Sequence, residues 1–245
     1  MKSQDKAILT LGVLIFSAGV LLEMALFGIV IWADFEAVMF DPSIRKDAPL
    51  TTLRCPVMMT KAETGTVTAT FTNPFERPIA FYTRAYISQG HSRPMGEVKT
   101  SLPLDPGETQ PLHWTVTSDD AAFERLILVK VTVNRKHPLP SRQGECGILV
   151  VDLPCFTGNQ IFTLALAASL LSMAIGAGLW VAGNRPLSGL GLDVTRAMGM
   201  LAGCVLAGTI VGLLGWWMLG VLILAITVLL IGATIGYFVN RLGKQ

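Results

Sequence analysis

Histidine, charge and recognisable reaction motifs are all scarce in this chain. Its 245 residues include three histidines, and Asp, Glu, Lys and Arg together make up 15%. The formal net charge is +2, and the basic residues are scattered, which argues against a nucleic-acid binder. The sequence has no Gly-x-Ser-x-Gly elbow, no His-Glu-x-x-His and no phosphate-binding glycine loop. No Asn-x-Ser/Thr sequon occurs, so nothing points to a glycosylated protein. On these grounds the chain is expected not to be an enzyme and to hold no cofactor and no metal.

Apolar residues are abundant instead, at 51%, and the mean hydropathy is +0.55. They collect into four runs long enough to cross a bilayer core, which takes about 20 helical residues. The expected organisation is a tail over 1–6, a first span over 7–32 and an outer segment over 33–160. A second span over 161–183, a loop over 184–196, a third span over 197–217, a fourth over 219–239 and a tail over 240–245 complete it. The first span, read as an uncleaved signal anchor, carries Glu23; the other three carry no charge. Trp216 and Trp217, between the third and fourth runs, suit the headgroup layer.

Loop charges set the expected orientation. Lys2 and Lys6, Arg185 and Arg196, and Arg241 and Lys244 fall on one side of a four-span chain. Asp34, Glu36 and Asp41 follow the first span on the other side. The positive-inside rule then puts both termini in the cytoplasm and 33–160 outside a plasma or inner membrane.

The outer segment changes character. Thr66–Thr72 alternates, with Val67, Ala69 and Phe71 directed to a core. Ile79, Phe81, Thr83, Ala85 and Ile87 line one face of a next strand. Leu112, Trp114 and Val116, then Ile127, Val129, Val131 and Val133, repeat the pattern. With 53–60, 98–104 and 147–152, about seven strands are expected, which predicts an antiparallel β-sandwich inserted between the first two spans. The stretch Leu102-Pro103-Leu104-Asp105-Pro106-Gly107-Glu108, leading into Leu112-His113-Trp114, resembles the Pro-Gly-Glu turn and following strand of immunoglobulin-like and fibronectin-like modules. That resemblance implies a fold of that kind, and no activity.

Four cysteines are present. Cys55, Cys146 and Cys155 lie in the outer segment, where disulfides persist. Cys55 with Cys146 is the leading pair, joining first and last strands; Cys55 with Cys155 is the alternative. Cys204, in the third span, reads as a small packing residue. Cys55, Met58, Met59, His91, Met95 and His113 offer copper-type ligands, but without ligand spacing between histidines, and with Met58 and Met59 on opposite faces of a strand. Core methionines and surface histidines are the expectation. The basic, proline-rich loop of Arg135, Lys136, His137, Pro138, Pro140 and Arg142 reads as solvated.

Two features of the spans remain. A carboxyl at Glu23 costs about 2.5–3.5 kcal/mol to insert, so it calls for a partner. Three readings stay open: protonated and bonded to a neighbouring helix, paired with a basic residue of another protein, or packed near the interface. Gly199 and Gly203, Gly208 and Gly212, and Gly232 and Gly236 are spaced i to i+4, which lets helices approach closely. Packing the bundle on itself is their first use; contact with other membrane subunits, in a hetero- or homo-oligomer, is the second. A scaffolding membrane subunit surrounded by lipid is therefore the leading expectation, ahead of an outer ligand-binding or adhesion receptor and an oligomeric channel using Glu23.

Overall fold

The computed structural model describes residues 3–40, 48–90, 93–134 and 140–242. Four helices and nine strands occur among them, and all the strands lie between the first and second helices. The helices are α1 (Ser3–Met39), α2 (Gly158–Gly183), α3 (Leu190–Leu213) and α4 (Trp217–Leu242). Each is long and apolar enough to cross a membrane, so the chain is a multi-pass membrane protein. Two compact units result, one of residues 1–31 with 162–245 and one of residues 32–161.

The helices overrun the apolar runs. α1 continues through Ala33–Met39, because Asp34 and Glu36 are compatible with a helix and no Gly or Pro intervenes before Pro42. α3 begins seven residues ahead of the apolar run, carrying Asp193 and Arg196 in its first turns. It ends before Gly215, whose φ of +74° favours glycine.

The β unit consists of two sheets. Its strands are β1 (Ala48–Pro49), β2 (Leu53–Arg54), β3 (Met58–Thr60), β4 (Thr64–Thr72), β5 (Ile79–Gln89), β6 (Arg93–Leu104), β7 (Thr109–Thr117), β8 (Leu126–Val133) and β9 (Arg142–Val151). One sheet runs β1-β9-β8-β5-β6, with β3 also on β9; the other runs β2-β4-β7. The expected strand over 53–60 is two strands, and β1 precedes it. The expectation of a purely antiparallel arrangement is corrected: β1 and β3 both pair parallel to β9. The chain over 48–60 touches the first sheet, crosses to pair with β4, and returns. Pro49 and Pro56 lack the N–H a continuous ladder needs, which explains the interruption.

Alternation places the core. Val67, Ala69, Phe71, Trp114 and Val116 from the smaller sheet meet Phe81, Ala85, Ile87, Ile127, Val129, Val131, Val133 and Ile148 from the larger. At one edge of this core, buried Asn73 replaces missing ladder partners. Its amide donates to the carbonyls of Arg77, Leu104 and Asp105 at 2.8–3.1 Å, and its Oδ1 accepts from Phe75 N–H.

The last turns of α1 belong to this unit. Ala37 packs with Ala122 and Leu128, and Asp34 accepts from Gly147 N–H at 3.2 Å. A Cβ at Gly147 would lie 2.1 Å from the Ala33 carbonyl oxygen, so the helix rests directly on that backbone.

Candidate functional site

The helical unit is assembled by close approach along α1. Gly12 faces Gly176 of α2, where a Cβ at Gly176 would meet the Phe16 backbone nitrogen at 2.4 Å. About two turns further on, Gly19 lies against the Ser169 backbone, and the Ser169 hydroxyl donates to the Gly19 carbonyl at 3.0 Å. In lipid, such contacts and bonds supply the attraction that water supplies elsewhere. Phe16, Val20, Phe27, Met173, Met198 and Val205 fill the space beside them.

Glu23 is fully buried in this unit. Its Oε1 accepts from the Thr209 hydroxyl of α3 at 2.5 Å. The same hydroxyl lies 3.2 Å from the Val205 carbonyl, so one proton is offered to two acceptors. Oε2 has no hydrogen-bond partner among the described residues. Within this chain, then, the partner of Glu23 is a hydroxyl on a neighbouring helix.

The six glycines singled out by spacing divide. Gly208 faces the Phe27 ring, with a Cβ there at 3.0 Å, and Gly212 faces Val30 at 3.5 Å. Among the described residues, a Cβ at Gly199, Gly203, Gly232 or Gly236 would meet nothing within 4 Å. Gly199, Gly203 and Ala207 are exposed along one side of α3 and line a shallow groove of about 320 Å³ with Ile223, Ile226 and Leu230 of α4. Gly12 and Gly19 carry the tighter contact. Their i to i+7 spacing on α1 was the available signal.

The cysteines resolve. Cys55 and Cys146 form a disulfide across 91 residues, with Cα atoms 6.4 Å apart. Cys155 is a free, exposed thiol, and Cys204 is a half-buried free thiol of α3.

The sulfur and imidazole groups are spread out. Cys55 is consumed by the disulfide, Met59 enters the shared core, and His113 is exposed on β7. Met58 is buried as well. His91 and the Met95 side chain lie outside the described residues, as do Arg135, Lys136, His137 and Pro138 of the basic loop. Among the described residues, no three of His, Cys, Asp and Glu gather as metal ligands.

One carboxylate went unnoticed in the sequence. Glu63, in the turn after β3, accepts from Thr60 N–H at 2.5 Å, the Thr60 hydroxyl at 2.9 Å and Gly158 N–H at 2.8 Å. Gly158 opens α2, so Glu63 caps that helix from 95 residues away. Burial works to raise its pKa, and these bonds overcome it, holding the carboxyl below its ordinary range.

No family model matches this chain, and no curated protein matches it. Among solved structures, a β-glucosidase of Erythrobacter marinus aligns at 15% identity and TM-score 0.31, over 41% of this chain and 15% of its own. A Paenibacillus cycloisomaltooligosaccharide glucanotransferase aligns at 12% and 0.31, over 44% and 14%. A Bacteroides uniformis β-glucuronidase aligns at 15% and 0.28, over 39% and 12%. The aligned region thus spans about a seventh of each of these enzymes, and at such scores the likeness carries no argument about this chain.

Proposed function

We propose that this protein is a non-enzymatic membrane subunit that packs against other membrane helices and presents its β unit to a partner's outer domain. The observation carrying this reading is the division among the glycines. Gly208 and Gly212 are used up by packing inside the chain, while Gly199, Gly203, Gly232 and Gly236 are open. Small residues on an unoccupied helix side favour a second helix over lipid alone, because a helix can approach their backbone closely. The β unit reads as immunoglobulin- or fibronectin-like. Its support is a first strand divided between two sheets and the order β2-β4-β7 against β9-β8-β5-β6. The charge pattern of the loops supports cytoplasmic termini and an outer β unit, and the disulfide is compatible with an oxidising compartment.

A photo-crosslinking residue at Gly203, activated in native membranes, tests the reading. A discrete protein adduct at Gly203, absent when the residue is placed at buried Val205, is the expected outcome. A chain that purifies from mild detergent as a lone monomer, with no adduct at Gly203 or Gly232, would end it. The channel reading, in which Glu23 lines an ion path, is less favoured because Glu23 is buried and bonded to Thr209 within one chain.

A further inference from the structure

The larger sheet ends at β6, which among the described residues pairs with one strand, β5. Which of its backbone groups point away from the sheet follows from the far side of β5. There Asn134 N–H donates to the Tyr82 carbonyl at 2.9 Å, and the Thr132 hydroxyl donates to the Arg84 carbonyl at 3.4 Å. Tyr82, Arg84 and Tyr86 therefore turn their backbone groups to β8. The alternate residues Thr83, Ala85 and Ile87 turn theirs to β6, where they meet Thr100, Val98 and Gly96. The residues between, Glu97, Lys99 and Ser101, direct their N–H and C=O groups outward. Pro103 falls in the same set, where its missing N–H leaves the ladder to β5 whole.

The side chains along this edge are complementary to a copy of themselves. Glu97 and Lys99 share one face of the strand, their carboxylate and ammonium 3.0 Å apart, and Arg84 reaches the same carboxylate at 3.5 Å. Val98, between them, lies on the opposite face, the one that Leu102 and Leu104 bury, yet it is 44% exposed. A lysine on an edge strand ordinarily deters pairing with another chain. Here its counter-charge sits two residues away, and a two-fold axis through Val98 sets Glu97 of each copy opposite Lys99 of the other.

We infer that β6 is a self-pairing edge: two copies of this chain join their β6 strands antiparallel about Val98, so that the larger sheet runs from one copy into the other. Glu97 and Lys99 of each copy then exchange backbone hydrogen bonds with Lys99 and Glu97 of the other, and Ser101 extends the ladder on either side. The two Val98 residues meet at the axis as a non-hydrogen-bonded pair, with Cα atoms about 4.5 Å apart, where side chains approach most closely. Charge selects this register. A shift by two residues either way sets Lys99 against Lys99 or Glu97 against Glu97, and like charges directly opposite are destabilising. The occupant is a second copy because the edge supplies both halves of each match, as a two-fold interface requires.

The test uses the full chain in native membranes, the Cys55–Cys146 disulfide being kept. In a Cys155→Ser, Cys204→Ala background, Val98→Cys is compared with His113→Cys, an exposed position on β7 at the edge of the smaller sheet. Mild oxidation with copper phenanthroline should give several-fold more disulfide-linked dimer from 98 than from 113, because the paired Cα atoms fall within the span a disulfide bridges. Adding Glu97→Lys should lower that yield several-fold, since lysine then opposes lysine, and adding Lys99→Glu as well should restore it. Equal yields at 98 and 113 overturn the inference. So does a yield at 98 that Glu97→Lys leaves unchanged, or one that the exchanged pair fails to recover. The four substituted side chains are all exposed, so the core is untouched, and circular dichroism of each variant checks this. The β6 edge is separate from the open side of α3, so the result is independent of any adduct at Gly203.

Discussion

The two units hold themselves together by opposite means. In the β unit, large alternating side chains from two sheets fill one core, and polar backbone at its edges is met by side chains such as Asn73 and Glu63. In the helical unit the decisive residues are the smallest. Gly12, Gly19 and Gly176 bring backbones together, and single hydroxyls at Ser169 and Thr209 bridge helices. Water expels apolar surface and so favours bulk in the first case. Lipid gives no such drive, so the second unit gains from close contact and from bonds that have no competing solvent.

The contrast can be broken first at the disulfide. Cys55→Ala with Cys146→Ala removes a crosslink closing 91 residues. Chain-entropy reasoning gives a loss of about 4–5 kcal/mol from the β unit. Chemical denaturation followed by β-sheet circular dichroism should show it, with the helical signal persisting to higher denaturant. Equal loss in both signals would mean that the units do not melt separately.

Next in size are glycine substitutions. Gly176→Leu forces side-chain atoms into the Phe16 backbone and should cost about 1–3 kcal/mol or more, read as a lowered melting temperature in detergent. Gly203→Leu, where nothing lies within 4 Å, should leave the melting temperature unchanged. If Gly203→Leu were as damaging as Gly176→Leu, the open side of α3 would be misread.

Smaller still is the Glu23–Thr209 bond. A double-mutant cycle of Glu23→Leu and Thr209→Val should return a coupling of about 0.6–1.7 kcal/mol, the range for hydrogen bonds between membrane helices. Glu23→Gln, which keeps an acceptor for Thr209, should retain most of the stability and leave ion flux in reconstituted vesicles unchanged. Altered flux would revive the channel reading.

The slightest effect concerns Glu63. Its folded carboxyl titrates below the ordinary range, so its contribution is present above that range and is lost as the pH falls through the lowered value. Glu63→Gln should lower the β unit's stability slightly at neutral pH and flatten its acid limb, the two proteins converging as the pH falls. An unchanged acid limb would show that the capping bonds do not favour the ionised form.

These contrasts also explain how much the sequence disclosed. Twenty-residue apolar runs and period-two alternation are local signals, and both the spans and strand faces such as Val67, Ala69 and Phe71 were legible from them. The pairing of Cys55 with Cys146 was open to inference because few cysteines compete. Thr209 was not legible as the partner of Glu23, since 186 residues separate them and many helix residues carry hydroxyls. Nor was the extension of α1 to Met39: its acidic residues end the apolar run without ending the helix. The parallel strands β1 and β3 escaped because two-residue pairings interrupted by proline leave almost no pattern.

The parallel pairings carry a consequence for biosynthesis. β1, β3 and Cys55 all depend on β9, the last strand of the unit to be made. Until residue 151 has been made, β1 and β3 have no edge to join and Cys55 has no native partner. β4 to β8 can pair among themselves beforehand, but β1 and β3 gain their parallel pairings, and Cys55 its disulfide, only once β9 exists. Only seven residues after β9 ends, the next span begins. Closure of the β unit and emergence of the second helix thus fall at nearly the same moment in the chain's synthesis.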